Sequence, residues 1–381
     1  MSQWGPSDTE DAMPTQVTDV NGDPFGIDYA ASDLLWEVAK GVLVSGATSG
    51  VASEFANSML INKGTIGGGN GGVVFDPEWA PGDFLIKNQK PGQIASAFAV
   101  RVVDFDGKVT LKNKGMLEGA NAAFAADGSG NVIVDNDGQI TAELNGLNIA
   151  FATATGGADI ENAGTLRAGN VAILSDSAEG VRFSVHNLKG GLIEGGSRAI
   201  DVEERLVLKN DGKINGDIHA GGLGNKITTT GKIDGNVYLG SGDDKLVLKD
   251  KGKVTGLIDA GPGNDKVVFG KAADKFLFDG DLNAATNVTT FKNFQSGKDQ
   301  FFLDQDIFPT IAPGALSKAA FHKGTAAADA DDRIIYDKKS GALSYDPDGT
   351  GVLAQTEFAT LEKGTKLKAS DFTAGDFSFL A

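Results

Sequence analysis

Two short stretches of this chain have residue types and spacing suited to metal chemistry: Gly240-Ser-Gly242-Asp243-Asp244 and Gly261-Pro-Gly263-Asn264-Asp265. Glycine lets the backbone turn tightly with its carbonyls facing inward, and aspartate adds a carboxylate. Stacked copies would offer an all-oxygen cage to a hard cation such as Ca2+. The competing possibility is a plain Asn/Asp-Gly turn with solvated side chains. An Asp-Lys-apolar unit of the same kind returns nine residues after Asp265, at Asp274. The candidate metal ligands are therefore Gly240, Gly242, Asp243, Asp244, Gly261, Gly263, Asn264, Asp265 and Asp274, expected to hold one to three ions along one edge. A weaker copy begins at Gly221, but it has Lys226 where the aspartate belongs.

Other chemistries find less support. With no cysteine in the chain, disulfides, thiolate nucleophiles and Cys-based zinc sites are excluded. The three histidines, His186, His219 and His322, are not followed by Glu, so no HExxH zinc site exists, and no GxSxG is present. Asp346, Asp348, Thr350, Gly351 and Glu357 fall at EF-hand loop positions. The flanking RIIYD and ALSYD segments alternate like strands, which predicts a β-hairpin with no entering helix. A polysaccharide lyase or epimerase acting on uronates is the enzymatic alternative, since such chemistry uses Tyr or His beside Asp and a cation. Within the repeats Tyr238 is the only tyrosine, which favours a protein that is not an enzyme.

The elements that must carry these turns are legible as a repeat. An apolar pair, Asn, one residue, Gly, one residue, then Ile or Leu recurs as LINKGTIGG at Leu60, LKNKGMLEG at Leu111, VDNDGQITA at Val134, IENAGTLRA at Ile160 and LKNDGKING at Leu208. A variant, VHNLKGGLIEG, stands at Val185, and TTGKIDG and DKGKVTG end at Gly235 and Gly256 without the Asn. After a first double interval, bridged by a degenerate copy around Gly92, the phrase glycines are 19 to 26 residues apart. That period, with period-2 alternation inside each repeat, predicts an all-β, right-handed parallel β-helix or β-roll solenoid. Asn recurring at one turn position suits either a stacked amide ladder or a row of solvated turn residues.

Composition sets further bounds. There are 53 Gly, 22 Phe and a formal net charge of -17. The acidic balance argues against nucleic acid as a partner and towards cations. The apolar runs are too short to span a bilayer, which predicts no membrane span. The start, MSQWGPSDTEDAMPTQ, lacks the basic and apolar segments of a secretory signal, which predicts a cytoplasmic protein or one exported without a cleaved leader. Residues 1–58 read as an N-terminal cap or docking arm, in which Ala31 to Val44 forms a short amphipathic helix capped by Ser32, or a strand. Residues 59–220 read as the β-helix, 221–280 as a calcium-binding β-roll and 281–381 as a C-terminal cap.

The glycine turns resemble the GGxGxDxUx nonapeptide of the repeats-in-toxin family. The segment Asp331 to Gly351, with RIIYD followed by SGALSYDPDGTG, resembles the C-terminal region of repeats-in-toxin proteins exported by type I secretion. The resemblance covers residues 221–381, and the upstream repeats are similar in architecture to autotransporter passenger β-helices. It implies an uncleaved C-terminal secretion signal, contact with a type I secretion machinery and calcium-driven folding outside the cell. The expected protein is a secreted, calcium-binding solenoid at the bacterial surface or in extracellular matrix. It would be homo-oligomeric or polymeric, as in a surface layer or filament, with cell-surface polysaccharide as a candidate partner.

Overall fold

The computed structural model describes residues 15–17, 20–22, 25–29, 35–76, 82–153, 155–177, 181–222 and 224–377. The chain divides into two compact units, residues 1–178 and 179–381. In both, short strands return coil after coil to pair in parallel with the strand one repeat earlier, as the alternating apolar pattern predicts. The chain is a β-solenoid.

In the first unit each coil contributes up to three strands. One ladder stacks Ser58–Asn62, Phe84–Asn88, Lys108–Asn113, Asn131–Asn136 and Gly157–Asn162. A second stacks Thr65–Gly68 with the start of Gln93–Phe105, then Met116–Gly128, Gln139–Ala142 and Thr165–Ala168. Inward positions such as Leu60, Ile86, Leu111, Val134, Ile94, Leu117 and Ile140 are buried. This one-sided burial is what the period-2 pattern encodes, and it fixes register, because a one-residue slip would turn every apolar side chain outward.

The asparagines of the repeated phrase settle into an amide ladder. Asn62, Asn88, Asn113 and Asn136 each donate from Nδ2 to Oδ1 of the next asparagine, at 2.7 to 2.9 Å, the last of these bonds reaching Asn162. The second amide hydrogen of each caps a backbone carbonyl, of Gln93, Met116, Gln139 and Thr165 in turn. All five side chains are buried. The solvated-turn alternative is thereby excluded, and the Asn88 copy confirms the degenerate repeat around Gly92. The neighbouring glycines stack as closely: a Cβ on Gly138 or Gly164 would collide with the carbonyl oxygen of the glycine one coil before, Gly115 or Gly138.

The second unit has an amide ladder of the same kind, from Asn187 to Asn210 at 2.9 Å, then Asn210 to Thr229 Oγ1 at 3.1 Å, where the phrase loses its asparagine. One ladder runs Arg182–Asn187, Arg205–Asn210, Lys226–Thr229, Lys245–Leu248, Lys266–Val268 and Thr289–Lys292. Phenylalanine takes over the core towards its end, with Phe276, Phe278, Phe291, Phe294, Phe301 and Phe358 in stacked or edge contacts at 4.6 to 5.9 Å. The last strands change direction. Ile334–Tyr336, Ala342–Tyr345 and Thr356–Thr360 form an antiparallel meander whose final strand joins Thr289–Lys292. This is the hairpin expected around KKSG, and Glu357 lies inside a strand, so the EF-hand pattern is a decoy.

Parallel ladders run across the positions 58/59, 220/221 and 280/281, through the pairs Trp36↔Leu60, Asn210↔Thr229 and Val267↔Phe291. The described part of the N-terminal segment is stacked coil. Of the helix and the strand open for Ala31 to Val44, the structure shows strands, Leu35–Val38 and Leu43–Gly46, parted by a turn at Gly41, whose φ of 84° interrupts any helix; Ser32 lies outside the described residues.

Candidate metal centre

The glycine turns immediately precede the strands Lys245–Leu248 and Lys266–Val268, so strand register decides what stacks on what. Lys226, Lys245 and Lys266 are paired positions. The residues just before them, Asn225, Asp244 and Asp265, therefore occupy one stacked position. The motif spelling placed Lys226 opposite the aspartates; strand pairing places Asn225 there, because the turn from His219 to Lys226 has the same length as those from Tyr238 to Lys245 and from Asp259 to Lys266.

The three side chains share one hydrogen-bonding scheme. Leu206 N–H donates to Asn225 Oδ1 at 2.7 Å, Asn225 N–H to Asp244 Oδ1, and Asp244 N–H to Asp265 Oδ1 at 3.0 Å. The other terminal atom differs. Asn225 Nδ2 donates to the carbonyls of Gly221 and Leu239 at 2.5 and 2.7 Å. In Asp244 and Asp265 the equivalent atom is Oδ2, which is buried and meets no hydrogen-bond donor. Both aspartates are at most 2% exposed. An anionic oxygen thus stands where the preceding coil needs a donor, and burial there is costly unless a positive charge arrives.

Protonation is one way to supply that charge. Burial, with the Asp265 charge adding to it, pushes the Asp244 carboxyl up to about 8. Burial and then Asp243 push Asp265 up to about 7. A divalent cation is the other way. Among the described residues no three His, Asp or Glu side chains converge, so a cation here would draw further ligands from backbone carbonyls. The turns are built for close backbone approach: Gly240 and Gly261 have φ of 76° and 67°, and a Cβ on Gly261 or Gly263 would strike the carbonyl of Gly240 or Gly242. With one free carboxylate oxygen per turn, glycine-lined backbone and, among the described residues, no side-chain cation within ion-pair distance of Asp244 or Asp265, the residues fit a hard metal ion.

The remaining candidates have other roles. Asp243 and Asn264 are exposed and form their own outer ladder, Asp243 Oδ1 accepting from Asn264 N–H at 2.9 Å and Asn264 Oδ1 from Val288 N–H at 3.2 Å. Asp274 does not stack on Asp265, because Lys266 pairs with Thr290, which leaves Thr289 at that position. It stands instead at a second corner, beside Asp299, whose Oδ1 accepts the Asp274 N–H at 3.2 Å. Asp274 is 1% exposed, its two oxygens form no hydrogen bond, and burial followed by the Asp299 charge raises it to about 6.

Two groupings were not foreseen. Asp259 and Asp279 line one small cavity, and burial, with the Asp279 charge second, lifts Asp259 to about 7. Asp201, His219, Tyr238 and Asp259 form one column of paired positions on successive coils, the His219 and Tyr238 rings lying 4.5 Å apart. Burial, then Arg198, lowers the His219 pKa, which favours the neutral imidazole. Both depend on pairing across coils of unequal length, which local sequence does not display. His186 sits 3.1 Å from an Asp211 oxygen, and His322 3.4 Å from an Asp332 oxygen. Among the described residues no helix is long and apolar enough to cross a membrane. A scan against protein-family models matches no family to this chain, and a search of curated proteins returns no match.

Proposed function

We propose that this protein is a calcium-stabilised β-solenoid that serves a structural or adhesive role outside the cell, at a bacterial surface or in extracellular matrix. The observation that carries the reading is the exchange of Asn225 for Asp244 and Asp265 in one stacked position. Where the amide stands, the turn satisfies itself; where the carboxylates stand, it needs an added positive charge. Asp244 and Asp265, with the backbone of their glycine turns, would hold Ca2+, which supplies that charge and screens the repulsion between the two coils.

In a calcium-poor cytoplasm the same aspartates oppose closure of these coils and keep the chain loose. That suits one-step export, as the type I secretion resemblance of residues 331–351 implies. Calcium outside the cell would then complete the stack, and regular coils of this kind lend themselves to assembly into layers or filaments. Far-UV circular dichroism in chelator and after calcium addition tests the reading. It expects β signal to be gained with calcium, and an identical spectrum in both conditions contradicts it. Electron microscopy with and without calcium tests assembly, for which persistent monomers count against the polymer.

A second reading, a uronate lyase or epimerase, is favoured by the Asp201–His219–Tyr238–Asp259 column. A neutral His219 would accept the proton α to a uronate carboxylate while Tyr238 donates one. Uronate polymers incubated with the protein should then gain the absorbance of an unsaturated sugar or change epimer composition, and the change should vanish in His219→Ala. No change with the wild-type chain rejects this reading.

A further inference from the structure

The outward face of one sheet in the second unit carries a line of cations that the glycine turns do not use. Lys226, Lys245 and Lys266 are paired positions on three successive parallel strands. Neighbouring strands lie ~4.8 Å apart, so the chain presents one ammonium stem at about that interval. Lys226 and Lys245 are exposed and Lys266 half-buried. Each follows directly after Asn225, Asp244 or Asp265, so inward acceptor and outward cation alternate on the pleat.

The row is extended two positions along the same face. Lys209 pairs with Thr228 on the coil before, and Lys292 with Val268 on the coil after; both are exposed. The nearby carboxylate of Asp211 is already taken by Lys209 at 2.9 Å and His186 at 3.1 Å. Among the described residues, no acidic group lies within ion-pair distance of Lys226, Lys245, Lys266 or Lys292. Like charges directly opposite each other in a ladder are destabilising, and no ion pair of these lysines offsets the repulsion among the described residues. In a chain of net charge -17, a line of unpaired cations is a local reversal of sign.

We propose that this face binds a linear carboxylated polysaccharide that runs across the strands, placing carboxylates along the Lys226–Lys245–Lys266 row. Charge density selects this partner. A polyuronate carries about one carboxylate per sugar ring, a spacing on the scale of the coil repeat. Duplex nucleic acid carries one charge per ~1.7 Å, far denser than the row can match, and the acidic remainder of the chain repels it. A neutral glycan gains nothing from the lysines. The lysines project from strands rather than from the glycine turns, so the proposal stands apart from calcium binding.

The test is binding of the full chain to immobilised polygalacturonate, which carries a carboxylate on every ring, in constant calcium, with neutral dextran and duplex DNA as comparison surfaces. Polygalacturonate should retain the protein and release it as salt rises. The triple variant Lys226→Gln/Lys245→Gln/Lys266→Gln should bind about tenfold more weakly, the sum of three exposed ion pairs. Lys339→Gln/Lys363→Gln/Lys366→Gln, with the same change in net charge at scattered exposed sites, should bind as the wild type does. Replacing the three row lysines by Arg should preserve binding, and a wild-type-like circular dichroism spectrum accompanies each variant. Failure of the wild type to bind polygalacturonate, equal retention on DNA, or undiminished binding by the glutamine triple in the row overturns the proposal.

Discussion

The backbone N–H of Asn225 donates to Oδ1 of Asp244, and one coil later Asp244 occupies the position that Asn225 holds, so amide and carboxylate are direct alternatives in one stack. Asp244→Asn should therefore behave as Asn225 does. Its new Nδ2 would find acceptors where Oδ2 had no donor. In chelator the variant should be more stable than the wild type by about 1–3 kcal/mol, the cost of a buried unsatisfied group. In calcium that advantage should disappear. Urea unfolding in the two conditions checks this, and a variant less stable in chelator rules out the orphan-oxygen account.

The carboxyls of Asp244, Asp265 and Asp274 are raised to about 8, 7 and 6 from 3.8. A raised pKa means that the folded state holds protons which the unfolded state has released. The stability this confers is full below about pH 4 and is lost as pH climbs through 6 to 8. Without calcium the urea midpoint should fall between about pH 5 and about pH 9. With calcium, which competes with those protons, the fall should be smaller. A calcium-free midpoint that rises across this range contradicts the assignment.

The amide ladder makes a prediction in the first unit. Asn136→Ala removes the acceptor of one Asn113 amide hydrogen and the donors to Asn162 Oδ1 and the Thr165 carbonyl. With buried groups unpaired at ~1 kcal/mol or more each, the loss should be about 3 kcal/mol in urea. The exposed Asn131→Ala is the matched control and should change stability little.

Backbone crowding at the glycine turns can be separated from conformational strain. Gly261 and Gly297 both have positive φ, 67° and 80°. A Cβ on Gly297 meets nothing within 4 Å, whereas one on Gly261 strikes the Gly240 carbonyl. Gly297→Ala should cost about 1–2 kcal/mol from its left-handed backbone alone, and Gly261→Ala clearly more. Equal melting temperatures for the two variants would mean that the coils separate easily at the metal turns.

The all-β coil, the Asn ladder, the KKSG hairpin and the stacking of Asp244 on Asp265 were legible because each is written locally and repeated. Other placements waited on register. The turn glycines can be aligned in two ways one residue apart, and strand pairing puts Asn225, not Lys226, beside Asp244, while the longer coil after Asp265 sends Asp274 to Asp299. The column of His219 and Tyr238 and the cavity lined by Asp259 and Asp279 join residues about twenty positions apart whose pairing follows only from register. Between the helix and the strand open for Ala31 to Val44, the local reason for the strand is Gly41, which turns left-handed between two short strands.

The most direct measurement is calorimetric titration of calcium, near neutral pH, into the wild-type chain and into Asp244→Asn/Asp265→Asn. Calcium held by these turns predicts saturable heat in the wild type that is lost or strongly reduced in the double variant, with the variant folded in chelator. No saturable heat in the wild type, or undiminished binding in the double variant, would contradict it.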